Sequence, residues 1–164
     1  MNDTTEKPVT ELKTAGERDR SIKKIVVAVD LSPHSEKTAS YAADFARRFG
    51  ASISLVHVFA SKPVRTLNAY ETAEEEKRHD TERKFVELVK NIEQIYPNCD
   101  VRFRNGDPAE QIALLAEELD ADLIVTSRHQ PGFLARLFEW DQAARILHRA
   151  DCSVLVYNGE TEAT

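Results

Sequence analysis

The sequence predicts an α/β protein, a parallel sheet of five strands with four helices on its two faces. Three observations lead there. Short apolar runs alternate with helical repeats in the order β-α-β-α-β-α-β-α-β. Ile25 to Val29 is continuously apolar and rich in β-branched residues, the pattern of a strand buried on both faces. The helices carry boundary signals, with Ser32-Pro33 and Asp107-Pro108 at N-termini and Gly50 after a last turn.

The elements follow in order. Residues 1–21 are polar, mix both charge signs and lack periodicity, so they read as a flexible tail. The first strand ends at Asp30, and Ser32-Pro33 starts a helix burying Ala39, Ala42, Phe45, Ala46 and Phe49. Ser52 to Phe59 is the second strand. After an irregular connection, a helix over about 70–96 is charged in its first half. Its second half carries an apolar stripe of Phe85, Leu88, Val89, Ile92 and Ile95. Val101 to Arg104 has polar alternate positions, as at a sheet edge. Asp107-Pro108-Ala109-Glu110 opens the third helix, which buries Ile112, Leu115, Ala116 and Leu119. Asp122 to Ser127 is the fourth strand. A helix over about 137–149 buries Ala143, Ile146, Leu147 and Ala150, and Cys152 to Tyr157 is the last strand.

The domain is expected to span residues 22–158, with a polar C-terminal tail over 159–164. A chain of 164 residues with 41% hydrophobic and 30% charged residues supports one domain with a sizeable core. A net charge of -6 argues against a nucleic-acid or anionic-membrane binder. No apolar run approaches the roughly 20 residues that span a bilayer. The N-terminal stretch has no apolar signal core, so the expected location is cytoplasmic. Cys99 and Cys152 form neither a disulfide framework nor a metal cluster, and Cys152 reads as a small buried hydrophobe. The five histidines show no metal-ligand spacing, and no nucleophile–base–orienter grouping is legible. His57, in an apolar strand, reads as a satisfied core or interface residue.

Four stretches together resemble the universal stress protein family. They are Val27-Ala28-Val29-Asp30-Leu31-Ser32, Leu55-Val56-His57-Val58, Gly106-Asp107-Pro108, and Ala121-Asp122-Leu123-Ile124-Val125 leading through His129 to Cys152-Ser153-Val154-Leu155-Val156. The resemblance covers about Lys24 to Tyr157. It implies an adenine nucleotide alpha hydrolase-like fold with strand order 3-2-1-4-5, and homodimers paired through the last strand, Cys152 to Tyr157. That order sets Asp30 and Ser127, Arg128, His129 and Gln130 across the crevice where such sheets hold ligands. These five are the candidate crevice residues.

Family members that bind ATP carry Gly-x-x-Gly, nine residues, then Gly and Ser or Thr. The glycines let backbone N–H groups close on the phosphates. Aligned to Cys152, those positions hold Ser127, Gln130, Trp140 and Asp141. Trp140 would crowd a phosphate and Asp141 would repel it. His129-Gln130 followed by Phe133 looks like the founding branch, which does not bind ATP. The expectation is therefore a non-enzymatic, homodimeric stress-response protein with no cofactor. A protein partner is unidentified; regulation of a transporter or kinase is one form it could take.

The alternative is a nucleotide-binding member that takes ATP or AMP, resting on Asp30, which fits the adenosine-side position. Against that role, Asp30 caps the turn before Ser32-Pro33. Arg128 to Gln130 serve either a ligand or the backbone ends of a solvated loop. The apolar cluster Phe133, Leu134, Leu137, Phe138 and Trp140 fills the vacated crevice in preference to covering a partner.

Overall fold

A computed structural model describes residues 21–60, 71–127 and 142–158. Within them the chain forms β1 (Lys24–Ala28), α1 (Pro33–Phe49), β2 (Ser52–Phe59), α2 (Glu71–Ile95), β3 (Cys99–Asn105), α3 (Pro108–Glu118), β4 (Leu123–Ser127), α4 (Gln142–Arg149) and β5 (Ser153–Tyr157). The strands form one sheet in the order β3-β2-β1-β4-β5, parallel at every pairing. This is the expected architecture.

The apolar runs have a direct cause. Along β1, Ile25 and Val27 pack into one cluster with α1 and α2, while Val26 and Ala28 pack into a second with α3 and α4. A central strand covered on both faces has no water-facing positions to make polar. Phe85 on α2 is fully buried, as are Leu55 on β2 and Val125 on β4. The lower end of the sheet is pinned by Asp122, whose Oδ2 accepts from the Lys23 and Lys24 N–H groups at 2.8 and 2.9 Å. That carboxylate fixes where β4 starts against β1.

Helix ends follow their local chemistry. Gly50 closes α1 at φ 65°, and its N–H donates to the Ala46 carbonyl; a side chain there would be strained. Asp107 caps α3, its carboxylate accepting from the Glu110 N–H at 3.1 Å. Ser32 holds the N-cap backbone position of α1, but its side chain makes no capping bond.

Several expectations are corrected. Phe49, Ile95 and Leu147 were expected on buried faces but are 50%, 42% and 61% exposed. Phe49 and Ile95 sit in the last turns of α1 and α2, where helical spacing continues but the sheet beneath does not. β3 runs Cys99–Asn105 rather than Val101 to Arg104 because it pairs along seven positions of β2, from Ile53 to Phe59. Cys152 lies just before β5 and is half-buried rather than buried. The expected start of the last helix, 137–141, lies outside the described residues, as do both tails apart from Ser21.

Candidate functional site

The site begins where β1 ends. After Val29 the chain turns sharply through Asp30 and Leu31, and Leu31 takes φ 60°. A branched side chain at positive φ costs roughly 1–2 kcal/mol, so the turn needs something to hold it. Asp30 supplies that. Its Oδ1 accepts from the Ser32 N–H at 3.0 Å and from the Ser35 hydroxyl at 2.5 Å. The Asp30 N–H in turn donates to Ser35 Oγ at 3.1 Å. Ser35 is buried, so water competes little for these bonds. Asp30 thus organises the turn, as its position before Ser32-Pro33 suggested.

Above the carboxyl ends of β1, β2 and β4 lies a cavity of about 860 Å³, within the size range of small-molecule sites. β1 and its turn contribute Ala28, Val29 and Asp30; β2 contributes Val56, His57 and Val58; β4 contributes Thr126 and Ser127. Pro108 and Ile112 come from α3, and Gln142, Arg145, Ile146, His148 and Arg149 from α4. β1 and β4 are neighbours in the sheet while their following helices pack on opposite faces, so this is its topological switch point. Asp30 and Ser127 both line this cavity. Arg128, His129, Gln130 and the Phe133–Trp140 cluster lie outside the described residues.

His57 is satisfied, as expected. Its Nδ1 lies 2.8 Å from the Val29 carbonyl oxygen, and the ring stands edge-on to Phe59 at 4.9 Å. A carbonyl only accepts, so Nδ1 carries the proton in this bond, leaving Nε2 the acceptor when the ring is neutral.

The α4 wall was missed by sequence reading. Arg145 donates to Asp107 Oδ2 at 2.6 Å and to Gln142 Oε1 at 3.2 Å. The same carboxylate that caps α3 therefore ties it to α4. The Arg145 guanidinium is the main reason the Asp107 carboxyl is held below the usual carboxylate range, with the Glu110 N–H and the Arg149 charge adding to it. Arg149 donates weakly to the Arg145 carbonyl at 3.4 Å. One signal could have found this wall: Gln142, Arg145, Ile146 and Arg149 recur at helical spacing on one face.

Neither thiol adds chemistry here. Burial pushes the Cys99 thiol up to about 11, and Cys152 also rises through burial, so both stay protonated at neutral pH. Among the described residues no group of three or more His, Cys, Asp or Glu could hold a metal ion, and no helix is long and apolar enough to cross a membrane.

Comparison with known proteins gives the family. The universal stress protein family model matches residues 21–158. Universal stress protein A homolog 1 of Coxiella burnetii is 32% identical over 142 residues, covering 81% of this chain and 94% of its own. A universal stress protein solved in complex with cAMP aligns with a TM-score of 0.67 at 18% identity, covering 85% of this chain and 99% of that one. The universal stress protein from Archaeoglobus fulgidus in complex with dAMP aligns with a TM-score of 0.57 at 23% identity, over 83% and 98% of the two chains. These structures share the adenine nucleotide alpha hydrolase-like fold found here. The chain belongs to the universal stress protein family.

Proposed function

We propose that this chain is a regulatory or protective stress-response protein, homodimeric and without catalytic activity, whose crevice does not hold ATP through a phosphate loop. The observation that carries the reading is the occupancy of the loop positions. Where ATP-binding members place three glycines and a Ser or Thr, this chain has Ser127, Gln130, Trp140 and Asp141. Each lost glycine removes a close backbone approach to phosphate, and Asp141 adds a like charge. Asp30 supports the reading from the other end of the crevice. Its carboxylate already accepts two hydrogen bonds within its own turn.

The dimer is assigned to β5. Leu155 and Val156 lie on opposite faces of an edge strand whose one ladder runs to β4, and such an edge adds readily to a second copy. The protein works in the cytoplasm through a protein partner rather than by turnover.

Calorimetry with ATP, ADP and Mg2+ tests the nucleotide part, and no heat of binding at micromolar ligand is expected. Micromolar affinity would instead install the rival reading, a nucleotide-binding member. That rival draws on the cavity and on the relatives solved with cAMP and dAMP. Sedimentation of the full chain tests the dimer, and a monomer at micromolar concentration would sink that assignment.

A further inference from the structure

We propose that a second copy received at β5 also seats on the outer flank of α1, where Tyr41, Phe45 and Phe49 form the apolar wall of the self-association surface. The inference rests on the reading that β5 is the pairing edge, and it names the face that completes it.

α1 has two flanks beside its buried stripe. Ala39, Ala42, Ala43 and Ala46 are fully buried beneath the helix. On one side of that stripe Arg47 reaches the end of α2, its guanidinium donating to the Ile95 carbonyl at 2.7 Å. On the other side Tyr41, Phe45 and Phe49 follow at four-residue spacing, which sets them one above another along the helix. Ring centroids lie 6.3 Å apart for Tyr41 and Phe45, and 4.8 Å apart for Phe45 and Phe49. Tyr41 also stacks on Tyr157 of β5 at 4.6 Å, so this flank is the one turned to the β5 edge. Phe45 and Leu155 are partly buried against the same core cluster, whereas Tyr41 is 37% and Phe49 50% exposed.

The shortness of the edge gives the helix its part. β5 is five residues long, while a stable protein–protein interface takes roughly 20–30 residues a side. Strand pairing alone supplies a fraction of that, so a partner at β5 must cover surface beside the strand as well. A second copy of this chain meets the requirement. Two-fold pairing of β5 with itself is antiparallel and continues the sheet, which keeps both α1 helices on one face with their aromatic flanks turned toward each other. Neither the β5 row nor the aromatic strip carries a charge, so two copies bring no like charges together along it.

The test is sedimentation of the full-length chain at micromolar concentration, with two variants that add the same charge to exposed helix positions. Phe49→Glu should weaken self-association at least about tenfold, the scale of one interface hot spot, with an unchanged circular dichroism spectrum. Val86→Glu lies on α2, beyond the Arg47 flank, at a residue 43% exposed, and should leave self-association unchanged. Phe49→Leu, which keeps an apolar group in the strip, should retain the dimer. Equal weakening by both glutamates, or a dimer that ignores Phe49→Glu, overturns the proposal. Val156→Lys on β5 itself separates the proposal from the reading beneath it. A dimer lost in Val156→Lys but kept in Phe49→Glu leaves β5 as the edge and sinks only the α1 wall, whereas a monomeric parent chain sinks both.

Discussion

At one edge of the sheet β3 presents Arg102 and Arg104, each with a carboxylate at hand: Asp100 at 2.6 Å for the first, Glu118 for the second. At the other edge β5 presents Val154, Leu155, Val156 and Tyr157, with Val156 44% exposed. Among the described residues both are outer strands with one open row of backbone groups. Charged side chains on an edge discourage pairing with another chain, and an uncharged apolar edge invites it. The β3 side also closes on itself. Phe103 stacks on Phe59 at 5.7 Å and meets Phe85 at 4.9 Å, and the Arg78 guanidinium lies 4.5 Å over the Phe59 ring. On the β5 side Tyr41 of α1 stacks on Tyr157 at 4.6 Å. One edge carries paired charges and the other an uncharged, largely apolar row.

The largest expected effect lies beneath the β3 edge. Phe85→Ala should cost about 3–5 kcal/mol in denaturant unfolding, because a fully buried ring is removed from two ring neighbours, His57 and Phe103. Next is Val156→Lys, which gives β5 the guard that β3 already has. It should weaken self-association at least about tenfold in sedimentation while leaving the monomer's spectrum intact. The reverse change, Arg102→Val with Arg104→Val, should leave folding stability within about 1 kcal/mol, since exposed ion pairs contribute little. It should also produce species larger than a dimer by light scattering. Tyr41→Ala should cost about 1 kcal/mol through loss of the Tyr157 stack.

The smallest effect is pH-dependent and joins the two halves of the α3–α4 face. The Asp107 carboxyl is lowered in the folded state, chiefly by Arg145. A depressed carboxyl contributes stability that is present above its unfolded value, near 3.8, and is lost as pH falls through the lower folded value. Asp107→Asn should therefore be less stable than the parent at pH 6, and the gap should narrow in thermal melts as pH falls below the unfolded value near 3.8.

The sequence carried the fold well because each element had its own physical signal. Strands covered on both faces had to be apolar throughout, and helix ends had to be capped. What it missed were features set by neighbours far along the chain. Spacing shows which face of a helix is apolar, but not where the sheet stops, so Phe49 and Ile95 were assigned to the interior. The site was legible in part. Asp30 announced its turn through the Ser32-Pro33 that follows. Arg145 went unread, since nothing local reveals that Asp107, 38 residues before it, completes an ion pair.

The Asp30 turn has a consequence for selectivity. Its strain at Leu31 and its bonds to Ser32 and Ser35 act together as a latch, holding one carboxylate oxygen away from visitors. A ligand that displaced either bond would loosen the one feature that holds Leu31 at positive φ. The turn therefore reserves that oxygen for its own backbone, and any ligand in the cavity would meet it as a competitor of Ser32 and Ser35.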